Sequence, residues 1–218
     1  MQSLSNNFFS TIKMIGMHKL EHPIFYNAPV GIRFEIGGDE SIYLDVDDNE
    51  HIMNLKYVSE ALTRAKTIYE NLPKKPDILR IDGYPNKKVT EEKLVLSICE
   101  EGKLPLPHEV VAAPFQWDED DEVITQEQLY WDLNKFDFSP NTLLEEIVKA
   151  DIGGYSGFAS SVYFVDTTND ILYHLYDDRG LDVVAKSRES LYDIFTQFNN
   201  WILDYDREKI NRIFSLWA

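Results

Sequence analysis

Residues 161–185 read SVYFVDTTNDILYHLYDDRGLDVVA, and their punctuation decides the class of fold. Two apolar runs, Val162–Val165 and Ile171–Tyr176, are separated by Asp166-Thr167-Thr168-Asn169-Asp170, and a third, Leu181–Ala185, follows Asp177-Asp178-Arg179-Gly180. Short runs rich in β-branched and aromatic residues, joined by tight-turn segments, predict an antiparallel three-stranded meander. The first two runs are apolar at successive positions, so both faces of this sheet are expected to be covered.

Working outward, Ser187 is placed to cap a helix with an apolar stripe of Leu191, Ile194, Phe195, Phe198 and Ile202. A last helix is predicted near Asp206–Trp217, burying Ile210, Ile213, Phe214 and Trp217. Upstream, Ser139-Pro140 opens a short helix whose Leu143, Leu144, Ile147 and Val148 face the core, and Gly153-Gly154 ends it. A strand is expected around Gln128–Trp131. Residues 103–124, with Pro105, Pro107, Pro114 and the acid run Asp118-Glu119-Asp120-Asp121-Glu122, read as a long surface loop. The segment Thr90–Glu101 has helix signals in Thr90, Glu91, Glu92 and Gly102, while Leu94-Val95-Leu96 leaves a strand open.

The clearest helix has Leu55, Val58, Ala61, Leu62, Ala65, Ile68, Tyr69 and Leu72 on one face, with Asn54 as cap and Pro73 as stop. A strand at Ile78–Ile81 follows it. Before it, Gly31–Ile36 and Ile42–Val46 alternate at period two around Gly37-Gly38-Asp39, which predicts a hairpin. Residues 1–28 read as a loosely ordered arm. The expected class is therefore α+β, a mainly antiparallel sheet with a C-terminal three-stranded meander and helices packed on it. It is laid out as one domain over 1–218, or as two lobes (about 23–102 and 125–218) joined by the acidic, proline-containing loop.

Charge bounds the function. The 218 residues carry 21 Lys plus Arg against 38 Asp plus Glu, a formal net charge of −17. Affinity for phosphates comes mainly from a basic footprint, so nucleic acid and anionic membrane surfaces are not the expected partners. A basic protein is the natural partner of such a surplus. Cys99 is the single cysteine, which excludes an internal disulfide and a cysteine-based zinc site. Neither a signal peptide nor a long apolar span is apparent, and the expected location is the cytoplasm.

Pro23-Ile24-Phe25-Tyr26 leading to Gly31-Ile32-Arg33-Phe34-Glu35-Ile36-Gly37, the YDDRG segment at 176–180 and the WILDYDRE segment at 201–208 carry a resemblance over most of the chain. Together they resemble a domain-of-unknown-function family of Bacillus-type Gram-positive bacteria. The resemblance implies a cytosolic bacterial protein and carries no functional role onto any residue.

The densest polar cluster is His174, Tyr176, Asp177, Asp178, Arg179 and Asp182. On an extended strand His174, Tyr176 and Asp178 would share a face, which makes His174, Asp178 and Arg179 the candidate catalytic residues. The competing reading is a type I turn, with Asp177 first and Gly180 fourth. Two acid clusters, Asp118–Glu122 and Asp45, Asp47, Asp48, are the candidate faces for a basic partner. Neither has the spaced ligands and central glycine of a calcium loop, and His18 and His22 lack the zinc-protease glutamate, so no metal or cofactor is expected. The rings of Tyr155, Phe158, Tyr163, Tyr173 and Tyr176 could line a small-ligand groove, but such spacing more often marks core. The leading expectation is a non-catalytic, immunity-protein-like module that neutralises a basic partner. Its rivals are a small enzyme at His174, Asp178 and Arg179, and an aromatic-lined ligand binder. Oligomeric state is left open.

Overall fold

The computed structural model describes residues 3–47, 50–84, 91–116, 123–152, 158 and 160–215. Residues 161–185 form the expected meander: β7 (Ser161–Asp166), β8 (Ile171–Leu175) and β9 (Gly180–Ala185). Side chains close its turns. Asp166 Oδ1 accepts from Thr168 N and Asn169 N at 2.8 and 3.2 Å, and Asp177 Oδ1 accepts from Arg179 N and Gly180 N at 2.8 and 2.7 Å. These are the local bonds that make Asp a turn residue.

The meander lies inside a seven-stranded sheet of order β1-β9-β8-β7-β4-β6-β5, in which every pairing is antiparallel. Here β1 is Gly31–Glu35, β4 is Ile78–Gly83, β5 is Glu109–Gln116 and β6 is Val123–Asp132. Strands from both halves of the chain interleave, since β4 pairs with both β6 and β7. The fold is α+β.

Alternation along each strand sorts the side chains onto two faces. Ile32, Leu79, Ile81, Phe164, Tyr173, Leu181 and Val183 belong to the larger core with Ala61, Ala65 and Ile68 of α2 (Leu55–Glu70) and Leu143 and Leu144 of α4 (Asn141–Ala150). Gly83 brings the sheet against Leu94 and Ile98 of α3 (Glu91–Glu101). On the other face Ile78, Tyr130, Tyr163, Val165, Leu172 and Val184 pack with Phe8, Ile12 and Ile15 of α1 (Leu4–Ile15). Both faces are covered, as the apolar runs require. Two short helices, α5 (Tyr192–Gln197) and α6 (Arg207–Phe214), stack through Phe195 and Phe214, with ring centroids 4.3 Å apart.

Several expectations are corrected. The arm contains α1: Ser3 Oγ accepts from Asn6 N, and Gly16, at φ 93°, closes the helix in the left-handed conformation. Its apolar stripe is narrow, set among Asn6, Asn7, Ser10 and Lys13, which hides the period. The predicted hairpin is absent among the described residues. Instead β1 pairs with β9, and β2 (Tyr43–Asp47) pairs with β3 (Glu50–Met53). A half-buried strand fits any complementary edge, so adjacency in sequence was a poor guide to its neighbour. The segment read as a surface loop contains β5, where Pro114 is accommodated because β5 is the edge strand. Residues 91–101 are helical. Ser187 bonds the hydroxyl of Ser190 and caps no helix by side chain; a 3-10 turn at Glu189–Leu191 precedes α5. The last helix ends at Phe214, and Trp217, Gly153 and Gly154 lie outside the described residues.

Candidate functional site

Register places one residue from each of the seven strands along a single line on the α1 face. Glu109 (β5) faces Tyr130 (β6), which faces Arg80 (β4), which faces Tyr163 (β7). The Tyr163 ring stacks on His174 (β8) at 4.5 Å, His174 faces Asp182 (β9), and Asp182 faces Arg33 (β1). One half of this face is apolar and covered by α1; this line is where it turns polar.

At the β5 end, Leu4 N and Ser5 N donate to Glu109 Oε2 at 2.7 and 3.3 Å, fixing the start of α1. A carboxylate at a helix N-terminus also meets the favourable end of the helix dipole. Arg80 is buried beneath α1, 5.0 Å from the Phe8 ring centroid and 5.7 Å from those of Tyr130 and Tyr163. It forks onto Asp82, Nε to Oδ1 at 2.6 Å and Nη2 to Oδ2 at 2.9 Å. Burial pushes the Asp82 carboxyl up while Arg80 pulls it back. Arg80 Nη1 has no hydrogen-bond partner among the described residues.

At the β1 end, Asp182 is fully buried. Its Oδ2 accepts from Phe25 N at 3.1 Å, and its Oδ1 lies 3.6 Å from Arg33 Nε. Arg33 also reaches Asp206 Oδ2 at 3.5 Å, and donates to the hydroxyls of Tyr176 and Tyr26 at 3.0 and 3.2 Å. The Tyr26 hydroxyl donates onward to Asp206 at 2.9 Å. Desolvation dominates Asp182: its pKa is pushed up to about 7, against the opposing pull of Phe25 N–H and Arg33. Gly180 is required beside this cluster, because a Cβ there would run into the Tyr176 hydroxyl.

The structure separates His174 from the other two candidate catalytic residues, Asp178 and Arg179, which meet at 3.9 Å. His174 is buried, its Nδ1 2.8 Å from Val162 O; a carbonyl only accepts, so Nδ1 carries the hydrogen. Desolvation lowers its pKa to about 3, and its ring meets His22 edge-on at 5.4 Å. Asp178 is buried in the turn after β8, where Tyr57 of α2 donates to its Oδ2 at 2.5 Å. Tyr173, next to His174 on β8 and so on the opposite face from it, likewise reaches α2, at Ala65 O, so His174 and Asp178 attach to opposite sides of the sheet. Arg179 is exposed and joins Asp177, Asp151 and Asp178 at 3.1, 3.2 and 3.9 Å. Those three carboxylates are close enough together to hold a cation, and the guanidinium of Arg179 is the cation among them.

Asp48 and Asp118–Glu122 lie outside the described residues, and of Asp45 and Asp47 only the β2 backbone is described. Of the ring candidates, Phe158, Tyr163 and Tyr173 are buried in core, Tyr176 is half-buried against Arg33, and Tyr155 lies outside the described residues. Sequence reasoning singled out His174 and Asp182 but missed Arg33, Arg80 and Asp82. Their only signal was charge at a strand position whose neighbours in register were unknown.

A family model described as a domain of unknown function, DUF3885, matches residues 8–206. The uncharacterized protein YnaE of Bacillus subtilis (strain 168) is 35% identical over 57 residues, 26% of this chain and 27% of that protein. The chain thus spans about a quarter of the length of this curated relative. No solved structure matches.

Proposed function

The chain belongs to the DUF3885 family, and we propose that it is a non-catalytic protein-binding module that neutralises a basic partner, as an immunity protein does. The observation that carries this reading is a charge of −17 on a chain several of whose arginines are already paired with its own carboxylates. Arg33, Arg64, Arg80, Arg179 and Arg207 are all so engaged, so they are not free to offset the acidic excess toward a partner. The acid clusters Asp118–Glu122 and Asp45, Asp47 and Asp48 add to that field, which would steer a cationic protein and speed its association. The reading is further supported at the polar line, where Arg80, Asp82, His174 and Asp182 are buried and mostly bonded to one another or to backbone. A general acid or base needs hydrogen-bond reach to a substrate. In this reading the module works in the cytoplasm and does not bind nucleic acid.

Co-purification from the native cell tests it. A stoichiometric basic protein is expected to be retained at low salt and shed at high salt; recovery of no such protein under either condition overturns the proposal.

A further inference from the structure

The two-stranded ribbon β2–β3 stands outside the seven-stranded sheet, and both of its faces carry apolar residues. Tyr43 faces Met53 across it, and Leu44 faces Ile52. Alternation sends these two pairs to opposite sides. The first pair packs on the larger core beside Ile42. The second stands in solvent, with Leu44 47% and Ile52 41% exposed. Leu55, which opens α2 just after β3, is 69% exposed. An antiparallel ribbon with one face on a core normally sets polar residues on the other. Directly opposed residues have Cβ atoms about 4.5–5.5 Å apart, so Leu44 and Ile52 make one continuous apolar spot. The base of the ribbon is held in place, since Asn54 donates from N to Ile42 O and from Nδ2 to Ser41 O, both at 2.9 Å.

Charge names the occupant. Between Arg33 and Lys56 the chain carries seven carboxylates and no Lys or Arg. Asp45, Asp47 and Glu50 continue the two strands from the Leu44–Ile52 pair toward the hairpin end. Glu35 and Asp39 are exposed and form no ion pair among the described residues. Lys56 pairs with Glu40, while Arg64 pairs with Glu60 and donates to the carbonyls of Glu35 and Gly37. Arg33 is engaged by Asp182 and Asp206. A surplus of carboxylates therefore remains around the apolar spot after these pairings are made. A second copy of this chain would bring like charge to the same place and be repelled, whereas a basic protein would be drawn there. Apolar surface rimmed by polar residues is the pattern of an interaction site.

We propose that the outer face of ribbon β2–β3 is the docking site for a cationic protein, an apolar side chain of which covers Leu44, Ile52 and Leu55 while its Lys or Arg meet the neighbouring carboxylates. This rests on the proposed function and adds the surface that performs it. The test uses the tagged full chain as bait in extract of the native cell at low salt, followed by a carbodiimide, which joins a carboxylate to a lysine in contact with it. Wild type and, as a control, Val110→Thr at an exposed apolar position of β5 should retain the same stoichiometric basic protein, cross-linked to carboxylates between Glu35 and Glu50. Leu44→Thr/Ile52→Thr removes the apolar pair but keeps β-branched residues on the strands. It should lose about thirtyfold in apparent affinity for that protein, the size of a hot-spot loss, with little change in melting temperature. Should this variant melt lower, the cross-link map of wild type decides alone. Asp45→Asn/Asp47→Asn/Glu50→Gln should bind more slowly at low salt and close to wild type at high salt. Equal affinity for wild type and the apolar variant, or cross-links confined to other carboxylates, overturns the surface and leaves the function standing. A retained protein that is not basic, or none with wild type, overturns both.

Discussion

Asp182 and His174 face one another across β8 and β9, and burial moves both pKa values in ways that oppose each other. Asp182 ionises at about 7 in the fold against an ordinary value of 3.8. Between those values the folded state holds a proton that the unfolded state has lost, so stability falls as pH rises. His174 is pushed from 6.5 to about 3; there the unfolded state holds the extra proton, and stability falls as pH drops. From about pH 4 to 6.5 the two slopes cancel. Asp182→Asn removes one of them. The variant should match wild type near pH 4 and gain a few kcal/mol over it at pH 7.5, at roughly 1.4 kcal/mol per unit. Its own stability should then decline steadily below pH 6.5. Denaturant unfolding at pH 4, 5.5 and 7.5 measures this, and a variant weakened more at pH 7.5 than at pH 4 would show the native carboxylate charged and stabilising. Asp178 gives a simpler case: Tyr57→Phe removes the hydroxyl that donates to its buried carboxyl and should cost about 1–3 kcal/mol in the same assay. At this scale the sequence was legible wherever chemistry is local. Asp177 and Gly180 announced their turn because an Asx side chain bonds backbone two and three residues on. Arg33 and Asp182 did not announce their meeting, since they stand 149 positions apart and only the β1–β9 register joins them.

At the scale of elements, legibility followed the width of the apolar stripe. Helix α2 presents Tyr57, Val58, Ala61, Ala65 and Ile68 to the core, and its start was marked by Asn54, which accepts from Lys56 N at 3.0 Å and donates to Ser41 O at 2.9 Å. Asn54→Ala should therefore cost about 1 kcal/mol or somewhat more, because it removes the cap and a tie to the preceding chain together. Helix α1 buries only Phe8, Thr11, Ile12 and Ile15, and its polar remainder read as an arm. That stripe nonetheless closes one face of the sheet, with Phe8 edge-on to both Tyr130 and Tyr163 and over Arg80. Phe8→Ala should cost about 3–5 kcal/mol, the range for a buried aromatic. If α1 were dispensable, the loss in equilibrium unfolding would fall well under that. The strands tell the same story. The meander was legible because its turns are short, whereas β1 could not reveal β9 as its neighbour and β5 was masked by three prolines and the acid run beside it.

At the scale of the whole molecule, charge should act on stability as well as on recognition. Thirty-eight acids against 21 bases repel one another across the surface of the compact state, and that repulsion relaxes on unfolding. The Debye length shrinks from about 30 Å at 0.01 M salt to about 8 Å at 0.15 M, so distant carboxylates cease to sense one another over that range. Exposed pairs such as Arg212–Glu208 and Lys56–Glu40 weaken as well, but solvent already screens them and they contribute little to stability. Buried Arg80–Asp82 is screened little. The sum predicts a melting temperature that rises with sodium chloride between those two ionic strengths at pH 7.5, by calorimetry. A fall would mean that surface pairs outweigh repulsion, and that little acidic field is left over for a partner. The same balance predicts how a cationic protein would act. By neutralising the surplus where it docks, it relieves repulsion that salt relieves everywhere, so its stabilising effect should be largest in the low-salt buffers where the free chain is weakest.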